Sequence, residues 1–115
     1  MHVRRSVLSR SMARDHELLN VLDEWRGHHV AVRVVAHRDD LVAVFAGRLG
    51  ARSSAKGESL FWPVALEGVS SGWLEAPGIY AHSELLSDVR THVGGFVVEF
   101  TQSGVTVNVR RLDRR

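Results

Sequence analysis

The chain has 115 residues, 44% of them hydrophobic and 24% charged, and it contains no cysteine. That is the size of one compact domain with a single core, and it excludes disulfide scaffolding, cysteine-ligated metal and thiol nucleophiles. The formal charge is only +2 although the pI is near 9.9, so where the charge sits matters more than its sum.

The basicity belongs to the two ends. Arg4, Arg5, Arg10 and Arg14 give residues 1–14 a charge of +4, and Arg110, Arg111, Arg114 and Arg115 against Asp113 give residues 110–115 +3. The stretch between them, 15–109, sums to −5. Residues 1–14 read as a flexible basic tail and 15–115 as one domain; Met12 offers an alternative start. A body that grips phosphates should gather basic residues on one face, and this one is not expected to. A single lysine among fifteen basic residues reads as the coding bias of a GC-rich, bacterial genome. No segment approaches the ~18 consecutive apolar residues of a membrane span, and the tail lacks the apolar region of a secretory signal. A cytoplasmic protein with no membrane partner is the expectation.

In chain order, Leu18, Leu22 and Trp25 recur at helical spacing, predicting an amphipathic helix over 15–25 with Asp15 at its start and Gly27 just past its end. His28–Ala36 and Leu41–Leu49 alternate as two strands joined by the polar residues 37–40. Pairing residues whose numbers sum to 77 sets Val30 opposite Gly47, Val32 opposite Phe45 and Val34 opposite Ala43, one continuous apolar face. The other face pairs His29 with Arg48, Ala31 with Ala46, Arg33 with Val44 and Val35 with Val42. A wet face should be polar, so the apolar end formed by Val35, Val42 and Val44 calls for a cover, either the helix or a second subunit. Residues 50–58 read as a mobile polar loop. Ser59–Leu66 is a third strand, with Leu60, Trp62, Val64 and Leu66 on one face, and Pro63 marks it as an edge or a bulge. Residues 67–78 form a glycine-rich excursion around Trp73. A short extended piece, Ile79–His82, is followed by a helix from Ser83, its cap, to about Thr91, with Gly94-Gly95 ending it. Phe96–Gln102 and Val105–Leu112 form a hairpin about Ser103-Gly104, with residues summing to 207 paired, so that Phe100 faces Val107 and Val98 faces Val109. The order α-β-β-β-(β)-α-β-β predicts a mainly β domain: a small, strongly bent antiparallel sheet or barrel with an N-terminal helix and one inserted helix.

The Leu18–Trp25 helix, Gly27, the Val30/Val32/Val34 strand and the Gly47-Arg48-Leu49 step resemble the Sm-like, or more broadly SH3-like, small-barrel fold over residues 15–66. The resemblance implies five bent strands behind a helix, and assembly into a ring or dimer. RNA-binding Sm-like proteins carry an acidic-to-asparagine signature between their second and third strands. The loop Arg52-Ser53-Ser54-Ala55-Lys56-Gly57-Glu58 has no asparagine, so the resemblance does not extend to RNA binding.

Chemical motifs are weak. His16-Glu17-Leu18-Leu19-Asn20 opens like a helical zinc motif, but Asn20 stands where the second imidazole belongs. His28 and His29 point to opposite faces of a strand, and His82 and His92 bracket the expected second helix at opposite ends. His82-Ser83-Glu84 has the residue types of a triad, yet sequence neighbours rarely meet in triad geometry, and a polar turn accounts for Asp39-Asp40. No metal, no cofactor and no catalytic residue is expected. Three surfaces remain. The patch of Val35, Val42 and Val44, with the edge strand 59–66, points to a homo-oligomer, and hence to a non-enzymatic, self-associating interaction module. The terminal arginines Arg4, Arg5, Arg110, Arg111, Arg114 and Arg115 are candidate contacts for a polyanion such as nucleic acid, the less favoured reading. Trp62, Trp73, Tyr80 and His82 are candidates for a ligand pocket or partner surface.

Overall fold

Alternating apolar residues dictate most of the architecture in the computed structural model, which describes residues 16–36, 40–54, 59–66 and 77–112. Residues 16–24 form helix α1. The strands are β1 (His29–Val35), β2 (Leu41–Leu49), the two-residue β3 (Ser53–Ser54), β4 (Ser59–Ala65), β5 (Gly78–His82), β6 (Leu86–His92), β7 (Val97–Gln102) and β8 (Val105–Arg111). Seven of these are full strands, where the small-barrel resemblance implies five, and every pairing is antiparallel. Their order across the sheet is β5-β4-β2-β1-β8-β7-β6, with β3 added to β4 beside β2. The sheet curls into a half-barrel. The predicted basic tail, the Asp15 cap, Met12, the tip of the first hairpin at 37–39, residues 55–58, the excursion 67–76 with Trp73, and Arg114 and Arg115 lie outside the described residues.

The core occupies the concave side. Leu18, Leu22 and Trp25 of α1 are buried with Val30, Val32, Leu49, Trp62, Val64, Val98, Phe100 and Val109. Leu18 and Leu19 meet Leu60, Trp62, Ala81 and Leu86 around a void of only about 10 Å³, so α1 fills the mouth of the half-barrel beside β4–β6. The indole N–H of Trp62 donates to Asp23 Oδ1 of α1 at 3.1 Å, which satisfies a polar group that full burial would otherwise strand. Gly27, at φ +88°, turns the chain out of α1 as expected.

Both hairpins adopt the registers read from the sequence. In the first, His29 to Val34 pair with Arg48 to Ala43 as predicted, and only Val35 departs, meeting Leu41 across a register shift instead of Val42. In the second, Val97 to Gln102 pair with Arg110 to Val105. Ser103 and Gly104 both have positive φ, 47° and 76°, as a two-residue turn matched to strand twist requires.

Three expectations are corrected. The inserted helix over 83–91 is a single 3₁₀ turn, Ser83–Leu85, followed by strand β6, so Ser83 caps no α-helix. Leu86 and Val89 are three apart, as on a helix face, because the ladder slips between Leu86 and Asp88. Leu86 pairs with Gln102 and Val89 with Phe100, two residues on one face. One extra residue in a strand converts a period of two into a spacing of three. Next, of the two readings of Pro63 the edge fails, because β2 and β3 flank β4 on one side and β5 on the other. The bulge holds: the register slips by one residue between the β2 and β3 ladders at Pro63. Pro63 is tolerated because its ring nitrogen falls between the β2 and β3 ladders, where its carbonyl accepts from Gly50 N–H at 2.7 Å. Finally, residues 53–54 of the expected loop form β3.

Candidate functional site

Because α1 takes the concave side, it does not cover the convex face of the first hairpin. Val42 is 62% exposed and Val44 63%; Val35 beside them is half-buried. The structure therefore brings together the three residues singled out from the sequence and leaves two of them, Val42 and Val44, uncovered among the described residues. It adds Leu41, 57% exposed, which the register shift places opposite Val35. Alternation alone could not have found Leu41, because the slip alters the pairing at that end of the strand.

The backbone of the same strand is open as well. β4 pairs with β2 only at Arg48 and Leu49, so Leu41–Gly47 has no strand partner on that side among the described residues. Leu49 exchanges backbone bonds with His28 and Gly27 on the β1 side. Alternation therefore turns the N–H and C=O of Val44 and Ala46 outward. Gly47 explains the break, because a Cβ there would run into the carbonyl oxygen of Ala65. β4 thus passes over the core side of β2 instead of continuing alongside it. Beside the free edge lies an open depression of about 530 Å³, lined by His29, Val44, Phe45, Ala46, Leu66 and Leu112 among others.

The aromatic candidates separate. Trp62 is wholly buried on the core face, whereas Tyr80, 50% exposed, lies on the opposite face against Phe61, with ring centroids 5.9 Å apart. They do not line one pocket. His82 is half-buried; its backbone N–H donates to Gln102 Oε1 at 2.9 Å, and its buried Nδ1 has no partner among the described residues. Of the terminal arginines, Arg110 is exposed on the convex face, while Arg111 lies over the Phe96 ring, 4.6 Å from its centroid. No cluster of three or more His, Asp or Glu side chains able to hold a metal occurs among the described residues. No family model, curated protein or solved structure matches the chain.

Proposed function

We propose that the chain is a non-enzymatic, self-associating interaction module whose contact is the free edge of β2, paired antiparallel with the β2 edge of a second copy. The observation that carries this reading is the coincidence, on one strand, of outward backbone groups that have no partner among the described residues with Leu41, Val42 and Val44 exposed beside them. Sheets commonly blunt such edges with lysine, proline or inward charge, because an open apolar edge is a template for another strand. Residues 41–47 carry none of these. A two-fold axis across the strand brings identical surfaces together, the usual geometry of a closed dimer. The likeness of residues 15–66 to Sm-like and SH3-like barrels supports the same reading, since ring or dimer assembly is what that likeness implies.

Sedimentation equilibrium at micromolar concentration is the test, with Val44→Pro as the diagnostic variant. The Val44 N–H points away from β1, so proline there removes an edge donor without breaking the β1–β2 ladder. The wild type should dimerise and the variant should be a folded monomer. A wild type that sediments as a monomer, or a folded variant that still dimerises, overturns the reading.

A further inference from the structure

We infer that the convex face spanning β2, β1 and β8 binds single-stranded nucleic acid, with Arg33, Arg48 and Arg110 gripping its phosphates. The first and last of these residues are 77 apart in sequence, but the register gathers all three. Arg33 lies opposite Val44 on one side and Asn108 on the other, Arg110 lies opposite Ala31, and Arg48 lies opposite His29. Arg33 and Arg110 are thus diagonal neighbours, about 7 Å apart at the backbone. Arg48 lies on the order of 14 Å from Arg33, judged by strand rise and spacing.

All three side chains are exposed, and none makes a hydrogen bond or ion pair among the described residues. On these three strands the residues around the arginines on the convex face, among them His29, Ala31, Val44, Ala46 and Asn108, include no carboxylate. Among the described residues, the acid closest to this face is Glu99 of β7, opposite Asn108, from which it accepts at 3.3 Å; it keeps its charge at the rim of the face. Asp88 of β6 pairs with Arg90 at 2.8 Å, Asp40 stands just before β2 at the far end of the strand, and Glu17, Asp23 and Glu24 sit on α1, on the concave side. The body is acidic in sum while this face is basic.

Shape selects the form of the polyanion. Two convex surfaces touch over little area, so a rigid duplex gains few contacts here, whereas a flexible single strand can follow the curvature. Ala31 and Ala46, opposite each other between the arginines, give its bases an apolar floor.

The test is fluorescence anisotropy of the full chain with a labelled twenty-residue oligothymidylate. Three phosphate contacts give a slope of log affinity against log salt of about −2, a roughly twentyfold loss between 50 and 200 mM. Replacing Arg33, Arg48 and Arg110 together by Gln should flatten that slope by about two and weaken binding at 50 mM at least tenfold. Arg26→Gln, at the end of α1, should change neither. All three sites are exposed, and an unchanged melting temperature verifies the fold. Unchanged binding by the triple variant overturns the proposal. So do equal affinity for a duplex of the same length, loss of binding only on replacing Arg114 and Arg115, or capture by phosphatidylserine vesicles but not by the oligonucleotide. The arginine side chains are separate from the backbone edge of β2, so Val44→Pro should still bind, which keeps this inference distinguishable from the dimer reading.

Discussion

The outer edge of β5 and the free edge of β2 pose the same physical problem and receive opposite treatment. On β5, the N–H of His82 and the C=O of Tyr80 point away from β4, where an eighth full strand would pair. The side-chain amide of Gln102, at the end of β7, takes that place: its Oε1 accepts from His82 N–H at 2.9 Å and its Nε2 donates to Tyr80 O at 2.6 Å. One amide imitates a peptide group and ties β5 to β7 across the mouth of the half-barrel. On β2 no described side chain does this, and the neighbouring side chains are apolar. A curled sheet that stops short of closure must deal with its exposed backbone locally, and this one seals the seam with a side chain while leaving the β2 edge without a strand partner among the described residues.

The largest expected effect lies where β2 changes from paired to free. Gly47→Ala forces either β2 or the Ala65 carbonyl to move, and backbone cannot yield as a flexible side chain can. Overpacking of this kind costs about 3 kcal/mol, a fall in melting temperature on the order of 15 °C for a domain of this size. Thermal unfolding checks it. A loss below 1 kcal/mol would mean that β4 does not cross β2 so closely.

A smaller effect is expected at the sealed seam. Gln102→Ala leaves a backbone donor and acceptor without their partner, and part of that loss is made good by water, so about 1–2 kcal/mol is expected by urea denaturation. Gln102→Glu sharpens the comparison. A carboxylate can still accept from His82 N–H but sets a second acceptor against Tyr80 O, so Glu should rescue little over Ala. If Glu restored wild-type stability, the donation to Tyr80 would have no energetic weight.

Much of this contrast was legible in the sequence, and the reasons for the misses are physical. Both hairpin registers follow from period-two alternation, because a slip of one residue would turn Val30, Val32, Phe100 or Val109 to water. The exposed Val42 and Val44 were legible for the same reason. What failed were the places where one residue is added or one partner exchanged. The slip at Ser87 disguised β6 as a helix, the slip at Val35 hid Leu41, and Pro63 suggested an edge where two neighbouring ladders merely part. The arginine face was missed because charge was summed along the chain, whereas alternation and pairing sort it between faces. Gln102 could not be found at all from local pattern, since its role depends on β5, twenty residues away.

The smallest expected effect is the one that separates the two edges most cleanly. Val44 is 63% exposed, so Val44→Thr keeps a β-branched side chain in a strand and removes little buried area from the monomer. Its stability extrapolated to low concentration should change by less than about 0.5 kcal/mol. Association adds a second term, because anything that binds only the folded state raises the melting temperature with concentration. The wild type should therefore melt higher at 200 μM than at 2 μM, and Val44→Thr should show a weaker dependence with the same low-concentration limit. Gln102→Ala should do the reverse, lowering both curves in parallel. If Val44→Thr instead lowered the low-concentration limit, Val44 would belong to the packing of the monomer, and the β2 edge would be closed within a single chain.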